Sequence, residues 1–93
     1  MKEISVEKRL IYEVKKRGGL AWKFISPGHD GVPDRIVLLP NGKIAFVELK
    51  APGKRPRPLQ CFRATELQAL GFPVYCIDRP EKIGGILDEI QTL

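Results

Sequence analysis

Residues 34–50, DRIVLLPNGKIAFVELK, decide the fold. Arg35 to Leu39 and Lys43 to Lys50 are rich in β-branched and aromatic residues. Pro40-Asn41-Gly42 between them is turn chemistry throughout, so the stretch predicts an antiparallel hairpin. Side chains alternate along a strand, which puts Ile44, Phe46, Glu48 and Lys50 on one face and Ala45, Val47 and Leu49 on the other. A three-residue loop, built as a type I turn with Gly42 left-handed, sets Leu39 opposite Lys43, and the same register brings Asp34 opposite Glu48. A two-residue loop at Asn41-Gly42 would instead pair Asp34 with Leu49 and turn the two acids to opposite faces.

Working outward, Val6, Leu10, Ile11 and Val14 recur at helical spacing, so Ser5 to Arg17 reads as a helix with Ser5 as its cap and Gly18-Gly19 ending it. Leu20 to Ile25 alternates and reads as a strand, with Trp22 and Phe24 on one face, where rings at strand spacing are more often core than surfaces that stack on bases. Two glycines and two prolines make Ser26 to Pro33 a loop. Ala51 to Pro58 holds three prolines and three basic residues and reads as a mobile basic loop. Leu59 to Leu70 returns to helical period with Gly71 as C-cap, Pro73 to Asp78 is a short strand, and Glu81 to Ile90 a closing helix. The order α-β-β-β-α-β-α gives an α/β fold, a single domain with a mixed sheet flanked by helices. A right-handed crossover through the second helix makes the last strand parallel to the third.

Ninety-three residues suit one domain and leave too little core for two, so residues 1–93 are expected to form a single unit. A core of this size stabilises only marginally, and an oligomer or bound metal would add to it. Sixteen Lys and Arg against 11 Asp and Glu leave a net charge of +5, which corroborates a polyanionic partner such as nucleic acid without establishing one. Cys61 and Cys76 form no CxxC pair and His29 is the sole histidine, which excludes a structural zinc site and fits a reduced, cytoplasmic protein. Met1-Lys2-Glu3-Ile4-Ser5 has no apolar signal core, and no segment approaches the roughly 20 apolar residues that span a bilayer.

The chemistry collects at the hairpin's open end. Glu48 and Lys50 alone could be a salt bridge on a solvated strand end. Opposed residues have Cβ atoms about 4.5–5.5 Å apart, so a facing Asp34 places two carboxylates together, which is destabilising unless a cation lies between them. Glu7 lies on the inward face of the first helix with Leu10, Ile11 and Val14, and is either a third acid or a solvated first-turn residue favoured by the helix dipole. Asp and Glu oxygens suit Mg²⁺ or Mn²⁺. Such an ion can acidify a water for attack on a phosphodiester, and Lys50 can neutralise the developing charge or help deprotonate that water. Lys54, Arg55 and Arg57 are placed to contact phosphates beside it. His29 and the two cysteines read as incidental, the latter as small packing residues.

Gly31-Val32-Pro33-Asp34, then Glu48-Leu49-Lys50, preceded by Glu7, Gly18-Gly19 and Ser26-Pro27-Gly28 and followed by Gln60, resembles the PD-(D/E)XK nucleases and, within them, the small stand-alone VRR-NUC family. The resemblance runs from Glu7 to about Asp78. It implies a restriction-endonuclease-like fold and a metal held by Asp34, Glu48 and the Leu49 carbonyl, with Glu7 joining directly or through water. It also implies Lys50 as the residue that orients or activates water, and Gln60 as a further active-site residue. The same resemblance implies a homodimeric endonuclease that cuts branched DNA such as four-way junctions. Two other readings stand beside it: a non-catalytic nucleic-acid-binding module, and an archaeal-type Holliday-junction resolvase, which shares the acid, Asp and ExK order.

Overall fold

The computed structural model describes residues 3–93, so the reading of Met1 and Lys2 lies outside it. The elements are α1 (Glu3–Lys16), β1 (Leu20–Lys23), β2 (Arg35–Leu39), β3 (Lys43–Leu49), α2 (Pro58–Ala69), β4 (Val74–Ile77), a 3-10 turn (Pro80–Lys82) and α3 (Ile83–Gln91). The expected α/β order holds, and the sheet runs β1-β2-β3-β4 with β4 parallel to β3. Ser5 is not the cap of α1, because it lies within the helix, which already includes Glu3, whose charge favours the first turn. The closing helix is split: Pro80 starts a 3-10 turn, and α3 follows from Ile83.

One face of the sheet carries the core. Val6, Leu10 and Val14 of α1 and Ile83, Leu87 and Ile90 of α3 are buried against Val37, Leu39, Ala45, Val47 and Leu49. In β3 the buried positions, Ala45, Val47 and Leu49, are those that alternation assigned to a single face. Arg17 staples the two helices, donating to Asp88 and Gln91. Gly19 follows α1 where no side chain fits, since a Cβ there would lie 2.3 Å from the Leu38 carbonyl oxygen.

The hairpin register is Leu39↔Lys43 through Arg35↔Val47, so the loop is the three-residue one. Its turn differs in detail: Asn41 (φ 70°) is left-handed as well as Gly42 (φ 73°), a conformation Asn tolerates better than most residues. β1 joins β2 with Trp22↔Ile36 and Lys23↔Arg35, and the Phe24 amide continues the ladder by donating to the Asp34 carbonyl at 2.8 Å. On the far side, Glu48 pairs with Cys76.

α2 stands over the second face and covers it only in part, for none of its residues is buried. Trp22 is therefore not core but 58% exposed, on the edge strand β1. Phe24 is half-buried and meets Phe46 with ring centroids 5.5 Å apart. Both cysteines, expected as packing residues, are exposed for the same reason.

Candidate active site

The three ladders combine into one row across the uncovered face. Extending the observed registers by one residue lines up Phe24, Asp34, Glu48 and Cys76 on successive strands, all on the side opposite the core. Lys50 lies one step beyond Glu48 on the same face. Sheet ends of this kind, at the C-terminal ends of parallel strands, are where α/β folds hold ligands.

Glu48 is buried, at 5% exposure, and neither carboxylate oxygen has a hydrogen-bond partner among the described residues. That is incompatible with a charge on a solvated strand end. Lys50 Nζ is 3.6 Å from Glu48 Oε2, close enough to attract it and too far for a hydrogen bond. Asp34 is fixed by the backbone, its Oδ2 accepting from the Leu49 amide at 2.8 Å. Burial, and then the adjacent Asp34 carboxyl, push Glu48 up to about 7 against the opposing pull of Lys50. With both acids ionised, nothing here donates to Glu48, and the Asp34–Glu48 contact is a hydrogen bond only when one of them carries a proton.

The structure does not bring Glu7 to this row. Its carboxylate accepts from Arg35 Nε at 3.1 Å and Nη2 at 3.0 Å, and Arg35 also donates to the Ala21 carbonyl. Arg35 alternates with Asp34 and points to the α1 side, so Glu7 lies across the sheet from Glu48. Gln60 does face the row: it lines, with Glu48, Cys61 and Cys76, a cleft of about 190 Å³ between the sheet and α2. Its Oε1 accepts from the Arg57 amide at 2.7 Å, which leaves the amide nitrogen as its donor. Lys54, Arg55 and Arg57 are all exposed, and their loop is pinned where the Gly53 amide donates to Asp78 Oδ2. His29 is exposed in the loop ahead of Asp34.

No family model matches the sequence. The chain is 56% identical over 78 residues to "Putative nuclease p44" of Acyrthosiphon pisum secondary endosymbiont phage 1, a span that covers 84% of each. A solved structure described as "VRR_NUC domain" superposes with a TM-score of 0.88 at 29% identity, over 95% of this chain and 96% of that one. The chain belongs to the VRR-NUC nuclease family. Among the described residues of this VRR-NUC chain, no three His, Cys, Asp or Glu side chains are grouped to hold a metal. The donor set nevertheless suits a hard cation. Two adjacent carboxylates, one with both oxygens orphaned and buried, are what Mg²⁺ takes when water and substrate phosphate complete its shell.

Two residues of this VRR-NUC site carried no functional reading in the sequence. Arg35 organises Glu7, and its strand position beside Asp34 was visible while its partner was not. Arg63 of α2 donates from Nε to the Asp30 carbonyl at 2.9 Å and so holds the loop that leads into Asp34. The only local signal for it was the Arg63–Glu66 spacing of three residues, which makes an ion pair at 2.9 Å.

Proposed function

We propose that this protein is a Mg²⁺- or Mn²⁺-dependent endonuclease that hydrolyses phosphodiester bonds in DNA, selects branched substrates such as four-way junctions, and works as a homodimer. The observation that carries the reading is the Asp34–Glu48 pair: two acids in one sheet row, Glu48 buried with unsatisfied oxygens, and an ammonium 3.6 Å away. A fold that buries like charges side by side is most stable when a cation joins them.

In this reading Asp34, Glu48 and the Leu49 carbonyl hold the ion. When bound it would lower the pKa of a water and polarise the scissile phosphate. Lys50, 17% exposed beside Glu48, orients that water and offsets the negative charge that builds on the phosphate. Gln60 presents its amide N–H groups to the same cleft. Glu7 acts at one remove, through Arg35, by fixing the strand that carries Asp34. Lys54, Arg55 and Arg57 contact flanking phosphates, in keeping with the net charge of +5. Trp22 (58% exposed) and Phe62 (55%) are large apolar groups that a second copy would cover.

The test is a panel of labelled duplex, flap, single-stranded and four-way DNA with Mn²⁺, Mg²⁺ or EDTA. The four-way substrate should be nicked only with metal, and Glu48→Ala and Lys50→Ala should each abolish nicking. Salt-sensitive binding with no metal-dependent cutting would instead identify a non-catalytic binding module. Light scattering should give twice the monomer mass.

A further inference from the structure

The Asp34–Glu48 pair has an aromatic neighbour in its own row. Phe24 stands directly across the ladder from Asp34 and forms one wall of a second cleft, about 300 Å³, between α2 and the loop that precedes Asp34. Leu67 lines the apolar part, and Ser26, His29, Arg63 and Glu66 bring polar groups to it. The polar groups are of both kinds. Arg63 is held in place by the Asp30 carbonyl and by Glu66 Oε1, while Glu66 is half exposed and keeps its second oxygen as an acceptor. The hydroxyl and imidazole can each donate or accept.

An apolar slot with an aromatic wall and mixed donors and acceptors matches one part of a nucleic acid: an unstacked base, which offers a π-face and a hydrogen-bonding edge. A phosphate matches it poorly, since phosphate oxygens only accept, the Glu66 carboxylate would repel them, and the apolar wall offers them no donor. The slot adjoins the carboxylate row on its β1 side, so a base attached to the phosphate at Asp34 and Glu48 is the group that reaches it. DNA supplies such bases at low cost where they are single-stranded or unpaired, as at a flap or a frayed end.

We infer that the cleft between Phe24 and α2 is a nucleobase subsite, which takes an unstacked base next to the scissile phosphate and sets the position of the cut. This rests on the nuclease reading above. His29 and Glu66 read the edge of the base, Phe24 meets its face, and Arg63 positions the loop around it.

The experiment is an abasic scan. The cut made by the wild-type protein with Mn²⁺ is mapped on its best substrate, and each nucleotide flanking it is replaced in turn by a tetrahydrofuran residue. Loss of the base at one fixed offset should slow cutting about tenfold, the scale of base–aromatic stacking, while the other positions change little. The variant His29→Ala/Glu66→Ala removes the edge contacts and keeps Phe24, so it should lower the intact-to-abasic rate ratio at that offset and leave the part due to stacking. Both residues are exposed, so folding is not at stake. Metal-dependent cutting at equal rates on every abasic substrate overturns the subsite and leaves the nuclease reading standing. A wild-type protein that cuts no DNA with either metal overturns both.

Discussion

Replacing Glu48 by Gln keeps the shape of the side chain and removes its charge, so it isolates the cost of the buried carboxylate. In the metal-free protein, burial and Asp34 raise Glu48 from 4.5 to about 7. A raised folded-state value means the native protein holds a proton that the unfolded chain has already released. Stability is therefore full below about 4.5, falls as pH rises through 7, and is flat above it. That rise, at about 1.4 kcal/mol for each tenfold change, sets the loss at no more than roughly 3 kcal/mol. In EDTA, urea unfolding of the wild type from pH 4.5 to 8.5 should show this fall, and Glu48→Gln should lack it. Circular dichroism is the readout, since the one tryptophan, Trp22, is already exposed. At pH 8, Mg²⁺ at about 100 times its Kd should return about 2.7 kcal/mol to the wild type and nothing to the variant. Wild-type and variant curves that run parallel from pH 5 to 8 would show that Glu48 is not a costly buried charge.

Three further outcomes test other parts of the site. Lys50→Ala should lower metal-dependent cleavage by about 10²-fold or more with little change in Tm, as measured on the mapped nick and by thermal scan. Gly31 has φ of 86° and a Cβ there would come within 2.8 Å of Leu59 Cγ, so Gly31→Ala should cost about 1–3 kcal/mol in chemical denaturation. Replacing Lys54, Arg55 and Arg57 together by Ala should flatten the plot of log affinity against log salt by about 2–3, if each meets one phosphate of duplex DNA. An unchanged slope would place the DNA elsewhere.

The sequence made the hairpin legible because two local rules agreed. Turn chemistry at residues 40–42 and strict alternation in β3 together fixed the register, and the register put Asp34 and Glu48 in one row. What it could not convey was which face each helix covers. Periodicity placed Glu7 inward along with Leu10 and Val14, and inward proved to be the α1 side of the sheet, where Arg35 waits and Glu48 does not. Alternation likewise set Trp22 and Phe24 on one face, but whether that face is covered depends on α2, a helix too weakly apolar to seal it. The same shortfall exposes Cys61 and Cys76 and opens the two clefts beside the carboxylates. The left-handed Asn41 was hidden because a type I turn and the observed one leave the same register.

The proposed activity needs a divalent ion seated between Asp34 and Glu48, and anomalous diffraction from crystals grown with Mn²⁺ sees that ion directly. The predicted result is one strong anomalous peak within bonding distance of an Asp34 oxygen, a Glu48 oxygen and the Leu49 carbonyl, and no peak there in Glu48→Gln. Protein that cuts DNA with Mn²⁺ yet shows its manganese elsewhere, with the Glu48 oxygens still unpartnered, would contradict it.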